Sequence, residues 1–425
     1  MELELNIKES INMYGRALRV IPGASQTNSK RLENYAPGAF PIFLQKGRGS
    51  HVWDVDGNEY IDYGMAMGPI ILGYAYSRVD EEVKKRIDDG LIFTLPHPLE
   101  VELAEEISKT VPCAEMSRFV KGGGEACACA IRVARAYTGR SVVLRCGYHG
   151  QHDVFNVGTK GVPEVLNKYT FAFEYNNVES LERLLKEHRN DVACIIMTPT
   201  DTRSRPSNDF LKGVRELADE YGAVLIFDEV VTGFRMSLGG AQEYFKVIPD
   251  MAVFAKAMAN GYPIAAYVGK KEVMREVTNC VLTTTYGGET ASLVAALTTI
   301  REIRERNVIE YIWRLGEKLM FNLESIISEV GINAKVKGWP PMMSLDFQEN
   351  NQEKRRKMRY LFLQETAKRG VLIRPDAVFI CYSHTEHDVN RTLIACYDAL
   401  KIVKEAAEKN ELDAKLKVKD TTSLL

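Results

Sequence analysis

The sequence predicts an α/β fold whose large domain is a mostly parallel β-sheet wrapped by helices, accompanied by a smaller α+β domain. Between about residues 75 and 300, short apolar runs alternate with stretches of helical periodicity. Some of these runs are continuously apolar, which is typical of parallel strands buried on both faces. Toward the C terminus, short strand patterns and helical patterns mix without this regular alternation.

Residues 1–74 predict a short amphipathic helix, an extended arm and a hairpin, which together form part of the smaller domain. The hairpin lies in HVWDVDGNEYIDY (51–63), where Asp56 and Gly57 separate two strand-like runs. Aspartate followed by glycine is a common two-residue hairpin turn. We therefore expect the chain to reverse at these two residues.

The large domain is predicted over residues 75–315 and contains a glycine run at 122–124. The stretch 118–140 indicates a strand, then these glycines, then an alanine-rich helix beginning near Glu125. Glycines let the backbone approach a phosphate, and the first turn of a helix offers free N–H groups to it. Gly123 and Gly124 are therefore candidate phosphate contacts, although a glycine turn before a helix is more often only a turn.

An aromatic residue and two reactive side chains follow later strands of this domain. Tyr148 comes at the end of the strand pattern that begins at 141, where its ring can stack on a flat ligand. Asp228 ends the apolar run 223–227, and Lys256 follows the run 252–255. Ligands bind outside the carboxyl ends of strands in such sheets, so we expect Asp228 and Lys256 at one crevice. Taken alone, Asp228 and Lys256 are each equally consistent with an ordinary structural charge.

One cofactor requires both of these side chains, namely pyridoxal 5′-phosphate. A carboxylate against its ring nitrogen keeps that nitrogen protonated, so the ring can withdraw electrons from the substrate's Cα. An amine holds its aldehyde as a Schiff base and then moves the Cα proton. We assign Asp228 to the first role and Lys256 to the second as the candidate catalytic residues.

Residues 316–425 predict the remainder of the smaller domain. Its predicted elements are a strand at 342–347, a helix near 352–369, strands near 371–375 and 379–383, and a long helix from about Glu386.

The chain resembles the class III aminotransferases of the fold-type I pyridoxal phosphate enzymes, especially their glutamate-1-semialdehyde 2,1-aminomutase branch. The likeness runs from about residue 20 to 393, and its specific part is the collinear order of motifs. These motifs are DVDGNEYIDY (54–63), GPIILGY (68–74), GGGEA (122–126), YHG (148–150), DEVVTGFR (228–235), the Lys256 segment, TTYGGET (284–290) and HTEHDV (384–389).

The resemblance implies a role for each matching residue. It gives Asp228 to the ring nitrogen, Lys256 to the aldehyde, and Gly123 with Gly124 to the phosphate. It also implies that Tyr148 and Val230 pack on opposite faces of the ring. Thr285 would reach the phosphate bound by a neighbouring subunit, which implies a homodimer with a shared active site.

The sequence departs from this family where the substrate would bind. Thr198 stands where class III enzymes usually carry an acidic residue before a proline. Ala66 and Met67 precede GPIILG, where the aminomutases have a serine and a tryptophan. Their early substrate-carboxylate residues correspond loosely to Gln26, Thr27 and either Lys30 or Arg31. The tentative substrate residues are Thr27, Arg31, Met67 and Thr198.

The segment 150–170 is shorter than the mobile glycine-rich loop that the aminomutases carry there. An aminomutase must retain its intermediate behind a closed lid, whereas an aminotransferase must exchange one substrate for another. The sequence therefore predicts an aminotransferase that moves an amino group from a donor such as glutamate to an aldehyde or ketone. A sugar-like or other polar acceptor is suggested by Thr198, Thr200, Arg203, Arg205 and Tyr382, which are equally consistent with a surface loop.

Two alternatives stay open. The first is the aminomutase, an isomerase. The second, more remote, is a relative that binds a ligand without catalysis, because Gly122 and Gly124 replace hydroxyl residues common in the phosphate loop. Retention of Lys256, Asp228 and Tyr148 argues against that second alternative.

The composition excludes several other classes. A formal net charge of −2 over 425 residues gives no electrostatic footprint for nucleic acid. No apolar stretch reaches membrane length, and the histidines and the eight cysteines show no metal-ligand spacing. The start of the sequence has no signal region, so we expect reduced thiols and a cytoplasmic location, with no metal and no membrane.

Overall fold

The computed structural model describes residues 4–207 and 209–417. These residues form two compact units. The large unit comprises Gly68–Ile71 and Ser77–Ile309. The small unit comprises the described residues up to Met67, then Leu72–Tyr76, then those from Glu310 onward.

Fourteen strands occur within the described residues. They are β1 (Leu44–Arg48), β2 (His51–Asp54), β3 (Glu59–Asp62), β4 (Met116–Val120), β5 (Val142–Cys146), β6 (Thr170–Ala172), β7 (Val192–Met197), β8 (Val224–Asp228), β9 (Met251–Phe254), β10 (Ala265–Gly269), β11 (Ala334–Trp339), β12 (Met342–Phe347), β13 (Val371–Leu372) and β14 (Val378–Phe379).

Thirteen α-helices accompany these strands in the same described ranges. They are α1 (Lys8–Val20), α2 (Ser77–Asp89), α3 (Pro98–Thr110), α4 (Gly123–Thr138), α5 (Val178–Glu187), α6 (Phe210–Tyr221), α7 (Ala241–Phe245), α8 (Lys271–Met274), α9 (Thr290–Glu305), α10 (Val308–Val330), α11 (Gln352–Lys368), α12 (Glu386–Glu408) and α13 (Leu412–Lys415).

The large unit is built around one seven-stranded sheet of order β4-β10-β9-β8-β7-β5-β6. Strands β5 to β9 run parallel, whereas β10 is antiparallel to both β4 and β9. Every residue of β7 and β8 is buried, which explains their continuously apolar sequences. The small residues Ala126, Ala130 and Ala134 of α4 belong to the same core cluster as Ile196 and Ile226 of the sheet. This mostly parallel sheet with packed helices confirms the predicted α/β class.

The carboxyl ends of the central strands carry the reactive residues. Strand β8 ends at Asp228, as predicted, and Lys256 follows β9 after one intervening residue, Ala255. Because β8 and β9 are parallel, both side chains lie at the same edge of the sheet. Strand β5 ends at Cys146, two residues earlier than the sequence suggested, because Gly147 turns the chain with φ = +109°.

The small unit contains two sheets. In the first, of order β1-β2-β3-β13, strands β1 to β3 form an antiparallel meander and β13 adds in parallel to β3. In the second, β11, β12 and β14 pair antiparallel. Strand β12 has the predicted bounds, and α11 and α12 occupy the predicted helical stretches.

The predicted hairpin around Asp56 and Gly57 is formed by β2 and β3. The Asp54 carboxylate accepts hydrogen bonds from the backbone N–H groups of Asp56 and Asn58, at 3.0 and 2.8 Å. Gly57 takes a φ of +88°, which glycine adopts without strain. The turn is therefore fixed by residues within the motif itself.

Among the helices described, none is both long enough and apolar enough to cross a bilayer.

Candidate active site

A cavity of about 780 Å³ lies in the large unit, next to the carboxyl ends of its parallel strands. Seven of the residues predicted from the sequence line it. They are Gly123, Gly124, Tyr148, Thr198, Asp228, Val230 and Lys256.

Lys256 reaches the cavity from a strained backbone position. Its φ is +47°, and it begins a short 3-10 turn, Lys256–Ala259, instead of a regular helix. A non-glycine residue in this conformation costs about 1–3 kcal/mol and is commonly found at functional sites. Burial lowers the pKa of Lys256; the negative charge of Asp228 opposes this shift, and the positive charge of Arg235 reinforces it. A lowered pKa increases the fraction of neutral amine, which is the nucleophilic form.

Asp228 is held by donors on both of its carboxylate oxygens and is only 5% exposed. Its Oδ2 lies 2.7 Å from Nδ1 of His149, and its Oδ1 accepts the backbone N–H of Val230 at 3.1 Å. His149 is itself buried. The carboxylate is thus fixed in orientation while remaining part of the cavity wall.

A buried thiol, that of Cys127, completes the surroundings of Asp228. Ligand atoms of Cys127, His149 and Asp228 all lie within 4.8 Å of one another. Burial and the nearby Asp228 carboxylate raise the pKa of Cys127 well above its ordinary value, so the thiol keeps its proton. His149 and Asp228 use one potential ligand atom each to hydrogen-bond to each other. The expected absence of a metal stays a prediction.

Three glycines form a tight contact between the start of α4 and the loop after β5. A Cβ on Gly150 would lie 2.6 Å from the Cα of Gly124, and a Cβ on Gly123 would lie 2.8 Å from Cγ2 of Val230. Side chains are thereby excluded from the first two positions of α4, where the N–H groups of a helix start can face an anion. Packing restricts side chains at Gly123 and Gly124 but not at Gly122, which has open space around it. The contact of Gly123 and Gly124 with a phosphate stays a prediction.

The remaining large-unit candidates differ in position. Tyr148 lines the cavity but is 78% exposed, so its ring is available to a ligand. Thr198 follows β7 and also lines it. Thr285 is exposed on the loop before α9 and is outside the cavity lining.

The other three substrate candidates lie in the small unit. Thr27, Arg31 and Met67 all line a second cavity, of about 480 Å³, which is formed within that unit.

Of the polar residues that suggested a sugar-like acceptor, only Thr198 lines the large-unit cavity. Thr200 is buried and its hydroxyl donates to the carbonyl of Ser204. Arg203 and Arg205 are exposed outside the lining. Tyr382 belongs to the small unit, where it packs edge-on against Tyr311. The surface-loop interpretation is therefore correct for the two arginines.

His149 entered the sequence analysis only as part of the motif YHG, without a role of its own. Its contact with Asp228 was missed because the two residues are 79 positions apart. A signal was available: His149 follows a predicted parallel strand, so it had to lie at the same sheet edge as Asp228.

These residues fit the three parts of pyridoxal phosphate. The start of α4 at Gly123 and Gly124 suits a phosphate, the buried Asp228 suits a protonated ring nitrogen, and the amine of Lys256 suits an aldehyde. Val230 and Tyr148 supply an apolar and an aromatic surface for a flat ring.

Comparisons with known proteins agree with this assignment. Residues 34–386 match the family model described as aminotransferase class-III. The chain is 37% identical to the 3-aminobutyryl-CoA aminotransferase of Cloacimonas acidaminovorans (strain Evry), covering 95% of this chain and 100% of that protein. It is 36% identical to the glutamate-1-semialdehyde 2,1-aminomutase of Thermodesulfovibrio yellowstonii, covering 92% and 99%.

Solved structures show the same fold. The pyridoxal phosphate-bound FumI protein of Sphingopyxis sp. MTA144 superposes with a TM-score of 0.90 at 28% identity, covering 98% of this chain and 99% of that one. An omega-transaminase from Sphaerobacter thermophilus gives 0.87 at 26% identity, covering 93% and 98%.

Proposed function

Because the chain belongs to the class III aminotransferases, whose cofactor is pyridoxal 5′-phosphate, we propose that it transfers an amino group from a donor such as glutamate to an aldehyde or ketone. The observation that carries this proposal is the convergence of Lys256 and Asp228 on one cavity beside a side-chain-free helix start. A ligand-binding relative without catalysis would have no need of a strained lysine with a lowered pKa.

When bound, the cofactor supplies an aldehyde that captures amines and a ring that stabilises negative charge at the substrate's Cα. Lys256 would hold that aldehyde through its neutral amine and then carry the proton away from Cα. Asp228 would hold the proton on the ring nitrogen, and His149 would keep the carboxylate oriented. Gly123 and Gly124 would present backbone N–H groups to the phosphate, while Tyr148 and Val230 would cover the two faces of the ring.

Transfer between two substrates is favoured over internal rearrangement by the segment after Gly150. Its residues form two short 3-10 turns, Asp153–Phe155 and Glu164–Lys168. The Asn156 side chain donates to the carbonyls of Gly150 and His152, which ties the start of this segment down locally. A short, locally bonded segment suits a site that must exchange products. The 37% identity to a protein named as an aminotransferase also supports this direction.

The second candidate is glutamate-1-semialdehyde 2,1-aminomutase activity. It is favoured by full-length relatives of that name, such as the one from Aquifex aeolicus at 35% identity.

A two-part assay separates the candidates. Holoenzyme is first mixed with glutamate alone; an aminotransferase releases up to one equivalent of 2-oxoglutarate per site and changes the visible absorbance of its cofactor. Carbonyl acceptors, including sugar-like ones, are then added to restore the original absorbance. The same preparation is given glutamate-1-semialdehyde, and formation of 5-aminolevulinate without a glutamate half-reaction would reverse the order of the candidates.

The proposed enzyme works as a homodimer. A row of exposed apolar side chains between residues 87 and 101 of the large unit supports this, because exposed apolar side chains that are close together favour association. They are Ile87 (54% exposed), Leu91 (39%), Ile92 (42%), Phe93 (51%), Leu95 (77%) and Val101 (60%).

This row lies beside the segment that carries Thr285, since the N–H of Thr290 donates to the carbonyl of Leu91 at 2.9 Å. A second copy seated on the row would therefore meet the Thr285 loop as well, which fits the shared site that the family resemblance implies. Sedimentation of Leu95→Asp should show a shift toward monomer. Ile394→Asp, at a 67% exposed position of the small unit, is the matched control and should remain dimeric.

A further inference from the structure

The start of α4 offers an anion little side-chain chemistry of its own. Gly122, Gly123 and Gly124 line the large-unit cavity there, and none of them carries a hydroxyl group. A phosphate monoester has a charge of about −1.5 to −2 at neutral pH, whereas the N-terminal end of a helix is equivalent to roughly +0.5 charge. Tight binding of a phosphate at this position therefore calls for further donors.

The charged side chains of the cavity lining show which residue can supply positive charge. Histidines apart, they are Lys121, Glu125, Asp228 and Lys256. Asp228 and Lys256 follow β8 and β9 and are assigned to the ring nitrogen and the aldehyde. Glu125 is an acid whose Oε2 accepts the backbone N–H groups of Lys121 and Gly122, at 3.1 and 3.4 Å. Lys121 is thus the lysine or arginine of the described lining that is left for a phosphate.

The ammonium of Lys121 is held in place by a single partner. Its Nζ donates to Oε2 of Glu289 at 3.0 Å, and both side chains are mostly buried, with 22% and 16% exposed. An ammonium carries three donor hydrogens, and among the described residues this one acceptor is the partner of Lys121 Nζ. Two N–H groups therefore stay available to a ligand.

The carboxylate of Glu289 is committed to the protein itself. It caps α9 by accepting the N–H groups of Ala291 and Ser292, at 2.7 and 3.2 Å, and the hydroxyl of Ser292 at 2.6 Å. Burial opposes the shift, but these donors and Lys121 hold the pKa of Glu289 below its ordinary value. Glu289 therefore stays negative and fixes the position of the Lys121 ammonium.

A second donor for the same place is His152, which also lines the cavity. Its Nδ1 is buried and makes no hydrogen bond in the part of the chain that the structure describes. This nitrogen lies beside the helix start, because a Cβ built on Gly124 would be 3.5 Å from it. Buried polar atoms nearly always have a hydrogen-bond partner, and an imidazole nitrogen can carry the hydrogen that a phosphate oxygen accepts. The unsatisfied Nδ1 therefore indicates a ligand acceptor next to Gly124.

We propose that Lys121 and His152 bind the phosphate of the cofactor, beside the backbone N–H groups of Gly123 and Gly124. The ammonium and the imidazole supply the side-chain donors that the glycine run lacks, and the ammonium balances part of the phosphate charge. The proposal rests on the cofactor of the proposed function but not on its substrates. It adds two residues to those that the family resemblance assigns to the phosphate.

The test compares pyridoxal 5′-phosphate with pyridoxal, which has the same ring and aldehyde but no phosphate. Each is titrated at equilibrium into the full-length protein freed of cofactor, and binding is followed by visible absorbance. Lys121→Met and His152→Phe should each weaken the binding of pyridoxal phosphate about tenfold or more, with less than about a twofold change for pyridoxal. Circular dichroism checks that each variant is folded.

Conservative variants separate contact with the phosphate from a structural role. Lys121→Arg keeps the charge and His152→Asn keeps an N–H donor, so each should recover part of the lost affinity. The phosphorus NMR resonance of the bound cofactor should also shift in Lys121→Met and in His152→Phe. Lys270→Met is the matched control, because Lys270 pairs with Asp250 at 2.7 Å outside the cavity lining. It should leave both affinities and the resonance unchanged.

Glu289→Gln tests whether Lys121 acts on the phosphate directly or only through its ion pair. Glutamine keeps one acceptor oxygen for α9 and leaves Lys121 charged, so pyridoxal phosphate should be weakened less than in Lys121→Met. Equal losses in these two variants would overturn the role of Lys121. For either residue, an unchanged affinity for pyridoxal phosphate, or an equal loss for pyridoxal, would overturn its contact with the phosphate.

The outcome is distinguishable from a failure of the proposed function, since no substrate enters the measurement. A parent protein that binds pyridoxal phosphate but transfers no amino group would contradict the proposed function alone. A parent protein that binds pyridoxal and pyridoxal phosphate equally would contradict the phosphate contacts alone.

Discussion

The two cavities of this protein are built in contrasting ways. In the large unit, Asp228 and Lys256 reach the cavity because parallel strands end there. In the small unit, the lining comes from irregular chain segments, with Ala24, Ala66 and Met67 in left-handed conformations. The first arrangement depends on regular hydrogen-bonded structure, and the second depends on contacts between distant segments. This difference teaches that the positions of Asp228 and Lys256 are fixed by the sheet, whereas the lining of the small-unit cavity is fixed mainly by contacts between irregular segments.

The largest loss of turnover is expected for a variant of Lys256, whose side chain lines the large-unit cavity. In the proposed reaction, Lys256 supplies both the amine that holds the cofactor and the base that moves the Cα proton, and Lys256→Ala removes both. We expect turnover to fall by roughly 10⁴-fold or more, together with loss of the cofactor's visible absorbance as bound in the parent enzyme. Steady-state kinetics and absorbance spectra check this.

Lys271→Ala is the control for Lys256, because Lys271 is exposed and lies outside the cavity lining. Unchanged visible absorbance and turnover in Lys256→Ala would contradict the proposal that the reaction takes place in this cavity.

Asp228→Asn should keep the cofactor's attachment to Lys256 but slow proton removal. An amide cannot stabilise a positive ring nitrogen, so we expect kcat to fall by roughly 10²- to 10⁴-fold. The substrate deuterated at Cα should then show a larger isotope effect than it does with the parent enzyme. A near-normal kcat would mean that another group protonates the ring.

His149→Gln tests whether orientation of Asp228 matters by itself. It weakens or removes the 2.7 Å contact to Oδ2, and a hydrogen bond to a charged group is worth about 1.5–3 kcal/mol. We therefore expect kcat to fall roughly 10- to 100-fold, with a smaller effect on KM. His188→Gln is the control, because His188 stacks on Phe171 outside the cavity lining. Equal kcat values in both variants would show that the contact between His149 and Asp228 does not affect turnover.

Gly150→Ala tests the tight packing that keeps the helix start open. Its new Cβ would lie 2.6 Å from the Cα of Gly124, so the loop or the helix has to move. Equilibrium titration of apoenzyme should show cofactor affinity about tenfold weaker. Gly158→Ala is a sharp control because it has a φ of +78° but open space around it, so it shares the strain without the collision. Equal losses in the two variants would attribute the effect to strain alone.

The smallest effect is expected for a variant of His51 in the small unit, and it concerns the pH dependence of stability. His51 lies 3.2 Å from Asp388 and 2.8 Å from Glu59. The hydrogen bond that His51 donates to the Asp388 carboxylate raises the pKa of His51, and burial partly opposes the shift. A raised folded pKa means that the stabilisation is fully present below the unfolded value near 6.5, and is lost as the pH rises through the folded value.

His51→Gln should therefore lower the thermal midpoint more at pH 5.5 than at pH 8.5, by an amount equivalent to roughly 1 kcal/mol or less. His384 acts in the opposite direction, since burial lowers its pKa to about 4. The stability contributed by neutral His384 is lost as the pH falls from 6.5 toward 4. Both His51→Gln and the parent protein carry His384, so the difference between them at each pH reports His51. A pH-independent loss in His51→Gln would show that the ion pairs contribute nothing measurable.

Much of the fold could be predicted because it depends on local sequence patterns. The strand before Asp228 was found from its unbroken apolar run, and the hairpin from Asp56 and Gly57. Strand β12 and the helices α11 and α12 also lie where the sequence predicts them. The family and the cofactor followed from the collinear order of motifs and are confirmed.

What could not be predicted depends on residues that are far apart in the sequence. The contact between His149 and Asp228 requires knowing that β5 and β8 are separated only by β7. The polarity of Arg203 and Arg205 gave no information on which way they face, and both proved to lie outside the cavity lining. The small-unit cavity joins residues near 31, 66 and 374, and no periodicity predicts such a meeting. The roles of the individual site residues stay predictions until the variants are made.

The contact between Gly124 and Gly150 also bears on how this enzyme could be modified by design. Neither position tolerates one additional carbon atom without displacement of main chain, so mutational libraries should leave both unchanged. Thr27, Arg31 and Met67, the substrate residues predicted in the small unit, line a different cavity and can be randomised without disturbing this glycine contact.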